Sequence, residues 1–209
     1  MIWLREWRQT KEVFIRFLLI VLFLDILAVI IMPREAQFFI RGPLQILFGI
    51  ICAVLLASGS FFKEIQQETF QLLLSKPLRK YKILLGKITI ALLECYILII
   101  FSKLIALSVQ MLKFSDITFI EGMKYLPALL SVPLVYFCIS LFFTVLTESR
   151  NKSVILTYIT GTIFVLAVPK ILHWVGFSAP GQTVILFYLI VVAMLITTAF
   201  LIFEEKEAK

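Results

Sequence analysis

"ETFQLLLSKPLRKYKILLGK", residues 68–87, lies between two long apolar runs of a 209-residue chain. It opens on an acid, passes through Leu72, Leu73 and Leu74, and breaks at Pro77. It then presents Arg79, Lys80, Lys82 and Lys87. Its flanks decide how it is read. The chain is 61% hydrophobic and its mean hydropathy is +1.04. Soluble domains are about half apolar, and one water-soluble core of this size could not hide the excess. The chain therefore reads as an all-α integral membrane protein, with residues 68–87 as a basic loop at the membrane surface.

The net charge of +7 would suggest nucleic acid in a soluble protein. Here the charges fall between apolar runs, so topology explains them and no nucleic-acid partner is expected. The 20 phenylalanines suit helices that face lipid. Cys52, Cys95 and Cys138 fall inside apolar runs, with neither metal-ligand spacing nor a disulfide framework. No metal site is expected. The single histidine, His173, excludes multi-histidine centres. It could pair with Ser178, but no nucleophile motif accompanies it. A membrane enzyme is disfavoured and no catalytic residue is expected.

The first sixteen residues, "MIWLREWRQTKEVFIR", place Trp3, Trp7 and Phe14 near one helical face and Arg5, Arg8, Glu12 and Arg16 near the other. This pattern predicts an interfacial helix over 1–16; the plainer alternative is a charged leader with two anchoring tryptophans. The segment does not resemble a cleavable signal peptide. Six apolar runs follow, at about 17–32, 43–62, 84–111, 126–146, 154–169 and 182–203, and predict six transmembrane helices. Together they read as a single transmembrane domain over 1–209.

Orientation follows from Lys and Arg. Six of the twenty, Arg34, Arg41, Lys103, Lys113, Lys124 and Lys170, fall in or near outer segments if the N-terminus is inside; the other fourteen fall in or near inner ones. That bias predicts a multi-pass protein of the cell membrane with both termini, and residues 68–87, in the cytoplasm. Residues 61–75 read as an amphipathic helix. Phe62, Ile65, Thr69, Leu72 and Leu73 cluster on one side, and Glu64, Gln67, Gln71 and Ser75 on the other. Pro77 should end it. Such a helix could dock a soluble partner, or merely anchor the loop.

These residues resemble the cytoplasmic loop of ABC-2 type transporter permeases. That loop carries an acid, a Thr, a Leu-rich run, a Pro, a basic residue and then Gly-Lys. Here they are Glu64, Thr69, Leu72-Leu73-Leu74, Pro77, Arg79-Lys80 and Gly86-Lys87. The family often has Gly immediately before the Thr, where this chain has Glu68. The resemblance implies a cytoplasmic coupling helix between spans two and three that docks on a separate ABC ATPase subunit. It implies coupling roles for Glu64, Gln67, Glu68, Thr69, Gln71, Leu73, Pro77 and Arg79. It also implies a second permease half, identical or different, and export of a peptide, lipid or drug-like molecule. The chain has no GxxxxGK[ST] phosphate loop, so ATP and Mg are expected on the partner and no cofactor on this chain. The alternative is a solute-capturing membrane subunit of an energy-coupling-factor type importer, which would need a polar outer pocket.

Asp25 in span one, and Glu94 and Lys103 in span three, are ionisable groups inside apolar runs and hence functional candidates. Asp25 and Glu94 could line a translocation path or close an interhelical contact; Lys103 could snorkel outward. Lys87 is expected at the headgroup level. Pro127 and Pro133 could bend span four. "PKILHWVGFSAPG", 169–181, is bounded by prolines and too short to cross; the resemblance makes it a re-entrant outer segment, the alternative being an exposed loop. Arg150 and Lys152 are assigned to topology, and the sequon at 151–153 is discounted as cytoplasmic.

Overall fold

A computed structural model describes residues 2–33, 42–66, 80–114, 118–123, 126–147, 149–174 and 181–207. Its elements are all α-helices: α1 (Ile2–Ile31), α2 (Pro43–Gln66), α3 (Lys80–Lys113), the short α4 (Phe119–Met123), α5 (Leu126–Thr147), α6 (Arg150–Trp174) and α7 (Gly181–Glu207). Proline and its neighbours set several ends. α1 stops ahead of Met32-Pro33, where the residue before proline is pushed out of helical geometry. α2 opens on Pro43, whose missing N–H costs nothing in a first turn.

Four stretches among the described residues are long and apolar enough to cross a membrane: Phe14–Ile31, Leu85–Lys113, Leu126–Thr147 and Arg150–Lys170. Shorter apolar stretches, Pro43–Gly59 and Val184–Ala199, lie within α2 and α7. Side-chain contacts fix the relative directions. Asp25 meets Ser102, and Val29 and Ile30 meet Lys113, so α1 and α3 run parallel. Gln45 meets Ser102 while Gly49 approaches Ile99, so α2 runs against α3. Gly49 also approaches Pro133, and Val54 meets Ser140, so α2 and α5 run together. Thr144 meets Ser153 and Tyr136 meets Thr162, which turns α6 against α5. Val165 meets Tyr188, and Phe164 stacks on Phe187, which packs α7 on α6. The first five long helices thus alternate in direction.

α5 is the hub of the bundle. It packs on α2, α6 and α7, while α3 joins α1 and α2. The contacts use small residues, as expected where backbones must approach without help from water. Ala53, Ala57 and Ser58 of α2 are fully buried. A Cβ on Gly49 would lie 2.8 Å from the Pro133 ring, and one on Gly161 2.5 Å from the Tyr136 ring. Both glycines are therefore contact surfaces. Outward-facing residues such as Leu19, Phe23, Ile163, Leu166 and Met194 are exposed apolar groups, as a lipid-facing surface requires.

Four expectations change. The boundary near residue 16 between a surface helix and span one is not a helix end: α1 runs unbroken from Ile2 to Ile31. The boundary near residue 61 between span two and a separate coupling helix lies inside α2, which continues to Gln66. Pro169 does not end a helix, because α6 continues through it to Trp174. Proline removes the N–H that would bond the carbonyl four residues back, which is Val165. The Tyr188 hydroxyl donates to that carbonyl at 3.3 Å, so the lost bond is replaced from α7. Residues 175–180 of the expected re-entrant segment lie outside the described residues. Finally, Lys103 does not snorkel out to solvent: it is only 2% exposed, and Lys87 is equally buried against protein.

Candidate functional site

Two regions carry the polar chemistry. The first is the basic segment that opened the sequence reading. α2 ends on the polar turn Lys63-Glu64-Ile65-Gln66. α3 opens on the basic turn Lys80-Tyr81-Lys82. At 1.5 Å per residue these polar ends are each roughly 5 Å long. α2 and α3 pack on each other and run antiparallel, so these polar ends leave the same end of the bundle. Residues 67–79 link them. Of the expected coupling residues, Glu64 lies in the last turn of α2, with its side chain outside the description. Gln67, Glu68, Thr69, Gln71, Leu73, Pro77 and Arg79 lie outside the described residues.

The second region is a buried polar stripe on α3. Lys87, Glu94, Ser102, Lys103 and Gln110 are each at most 4% exposed. Their spacing of seven to eight residues is about two helical turns, which keeps them near one face. Lys87 to Gln110 spans roughly 35 Å, comparable with the ~30 Å hydrocarbon thickness of a bilayer. Lys87, Glu94, Lys103 and Gln110 each have an interaction partner, as does Ser102. α1 and α2 meet the stripe at its middle. The Ser102 hydroxyl donates to Asp25 Oδ2, and Gln45 Nε2 donates to the Ser102 carbonyl at 3.5 Å. Lys103 acts on Asp25 electrostatically. Toward one end, Lys113 Nζ donates to the carbonyls of Val29 and Ile30 at 2.9 and 2.8 Å, closing the last turn of α1.

The structure thus places Asp25 in an interhelical contact, and Glu94 within the same stripe. Gln45, Ser102 and Gln110 were not singled out from sequence. The signal was present: Lys87, Glu94, Ser102 and Gln110 recur at a two-turn period inside an otherwise apolar helix. A second hydroxyl network ties α5 to α6. Thr144 donates to the Ser140 carbonyl at 2.7 Å and lies 2.7 Å from the Ser153 hydroxyl. Ser153 reaches the same carbonyl at 3.1 Å. Such bonds suit helix contact within lipid and offer no nucleophile–base pair. No group of three or more metal-ligating side chains occurs among the described residues.

Apolar helices with lipid-type outer faces, an apolar core and a buried polar stripe define a multi-pass helical membrane protein. The family model for ABC-2 family transporter proteins matches residues 8–185. The chain belongs to that family and is a permease component of an ABC transporter. Comparison with curated proteins and with solved structures gave no match.

Proposed function

We propose that this chain is the membrane-spanning half of an ABC exporter, with six crossings and both termini in the cytoplasm. A separate ABC ATPase would bind ATP and Mg, and a second permease half, identical or different, would complete the pathway. The observation that carries this reading is the pair of polar helix ends. α2 and α3 pack together, and their charged ends, Lys63–Gln66 and Lys80–Lys82, flank residues 67–79. A push on that segment would be delivered to two long helices at once, and α3 bears the buried polar stripe. In this reading Glu64, Gln67, Glu68, Thr69, Gln71, Leu73, Pro77 and Arg79 meet the ATPase. Asp25 and Glu94 lie beside the translocation path. The cargo would be a peptide, a lipid or a drug-like molecule. The role of this chain is mechanical, and no bond is made or broken on it.

The test is Glu64→Arg combined with Gln71→Arg. The double variant is expected to insert and accumulate like the wild type while losing ATPase association. Retention of a stoichiometric ATPase by that variant would remove the coupling role from this segment.

A further inference from the structure

We propose that α1 and α3 form one mechanical unit, held together at two levels by polar ties, so that a displacement of α3 carries α1 with it. The pairing does not rest on the transporter reading; only its use in coupling does. α1 packs on α3, and its contact with every other helix is marginal among the described residues. Its remaining face, which includes Leu19, Phe23, Leu27 and Ile30, is exposed within the chain. What holds α1 in place is therefore α3.

The first tie is the Ser102 hydroxyl, which donates to Asp25 Oδ2. Both residues are buried, so water does not compete for the bond. The second is Lys113, whose Nζ donates to the carbonyls of Val29 and Ile30 at 2.9 and 2.8 Å. Between them Val29 is fully buried in one cluster with Ala106, and the small alanine lets the two backbones approach. Ser102 and Lys113 lie roughly 16 Å apart along α3. One tie would leave α1 free to swing about it, whereas two at separate levels resist sliding and rotation together. The second tie also ends on backbone carbonyls, which no rotamer change in α1 can release.

The rest of the bundle has ties of its own. Thr144 meets Ser153, Tyr136 meets Thr162, and the Tyr188 hydroxyl donates to Val165, which joins α5, α6 and α7. α3 meets that group largely through α2, where Gly49 lies against both Ile99 and Pro133. Apolar contact of this kind is non-directional. Gln45 Nε2 reaches the Ser102 carbonyl, and the Tyr96 hydroxyl the Leu130 carbonyl, each at 3.5 Å, which is long for a hydrogen bond. The first turn of α3 adjoins residues 67–79. In the coupling reading, a push there moves α3 and α1 as a pair.

The test measures distances between pairs of spin labels by pulsed electron paramagnetic resonance, on the full chain in phosphatidylcholine vesicles. Labels are carried by Ile15→Cys on α1, Leu104→Cys on α3 and Met194→Cys on α7, all exposed positions. The background is Cys52→Ala, Cys95→Ala, Cys138→Ala. Ser102→Ala with Lys113→Met removes both ties and leaves the Ser102 carbonyl to Gln45 in place. The proposal expects the distance distributions from position 15 to positions 104 and 194 to broaden in that variant, while the one from 104 to 194 keeps its original width. An unchanged distribution from 15 to 104 overturns the proposal, because the ties then hold nothing. Equal broadening from 104 to 194 also overturns it, because the ties then hold the whole bundle. Should the double variant fail to insert, Ser102→Ala and Lys113→Met are measured singly. Each is expected to broaden the distribution from 15 to 104, and no change in either overturns the proposal. No ATPase takes part, so the outcome is separate from that of the coupling reading.

Discussion

The Tyr188 hydroxyl on α7 donates at 3.3 Å to the carbonyl of Val165 on α6, the acceptor that Pro169 leaves without its helical N–H. The contact explains how α6 passes through a proline. It also makes a double-mutant prediction. Tyr188→Phe should cost about 1 kcal/mol in a mixed-micelle unfolding titration. In a Pro169→Ala background the helix supplies its own donor, and the same change should cost nearly nothing. An equal cost in both backgrounds would break the link between the two residues.

Glycine contacts give a graded prediction. Gly49→Ala drives a methyl into the Pro133 ring and Gly161→Ala drives one into the Tyr136 ring. Neither ring can move away as a flexible chain end would, so each variant should lose about 1–3 kcal/mol of stability. Nothing lies within 4 Å of a Cβ built on Gly59. Gly59→Ala should instead stabilise α2 by up to about 1 kcal/mol. Thermal melts of the three variants in one detergent would show whether the order holds.

Lys113 should act as a C-terminal cap for α1. Lys113→Met removes both donors to Val29 and Ile30, and the last turn of α1 should then fray. Hydrogen exchange at the Met32 amide, which bonds the Ala28 carbonyl at 3.0 Å, should quicken. Lys113→Arg should largely preserve its protection. Unchanged exchange in Lys113→Met would show that the turn holds without the cap.

The hydroxyl network between α5 and α6 should matter modestly. Thr144→Val removes the donor to Ser140 and the partner of Ser153. Interhelical hydrogen bonds within membranes are worth about 0.6 kcal/mol on average and rarely above about 1.7, so the loss should fall in that range. Ser153→Ala in the Thr144→Val background should add little, because the pair is already broken. Additive losses would mean the two hydroxyls act independently.

The helical crossings were legible because hydropathy over twenty residues is a strong local signal. Pro43 and the Met32-Pro33 stop were legible for the same reason, since proline acts within its own turn. The run through Pro169 was not. It depends on Tyr188, nineteen residues on, and no local rule announces a donor from another helix. The continuity of α1 through Arg16 shows a charge boundary without a helix boundary, because arginine and glutamate are good helix formers. Asp25 and Glu94 stood out as charges in apolar runs. Their surroundings did not, since Gln45 and Ser102 are ordinary residues until α2 and α3 bring them together. Lys103 was misread for a related reason: a long side chain can snorkel or turn inward, and only packing decides which.

The central claim is that residues 61–87 couple this permease to a separate ATPase. The most direct measurement tags the C-terminus, extracts the chain from its native membranes in mild detergent, and identifies its companions by mass spectrometry with their ratio to the chain. The account predicts an ABC ATPase at near-equal ratio, lost in the Glu64→Arg, Gln71→Arg variant. A chain that emerges intact and folded with no ATPase would contradict it.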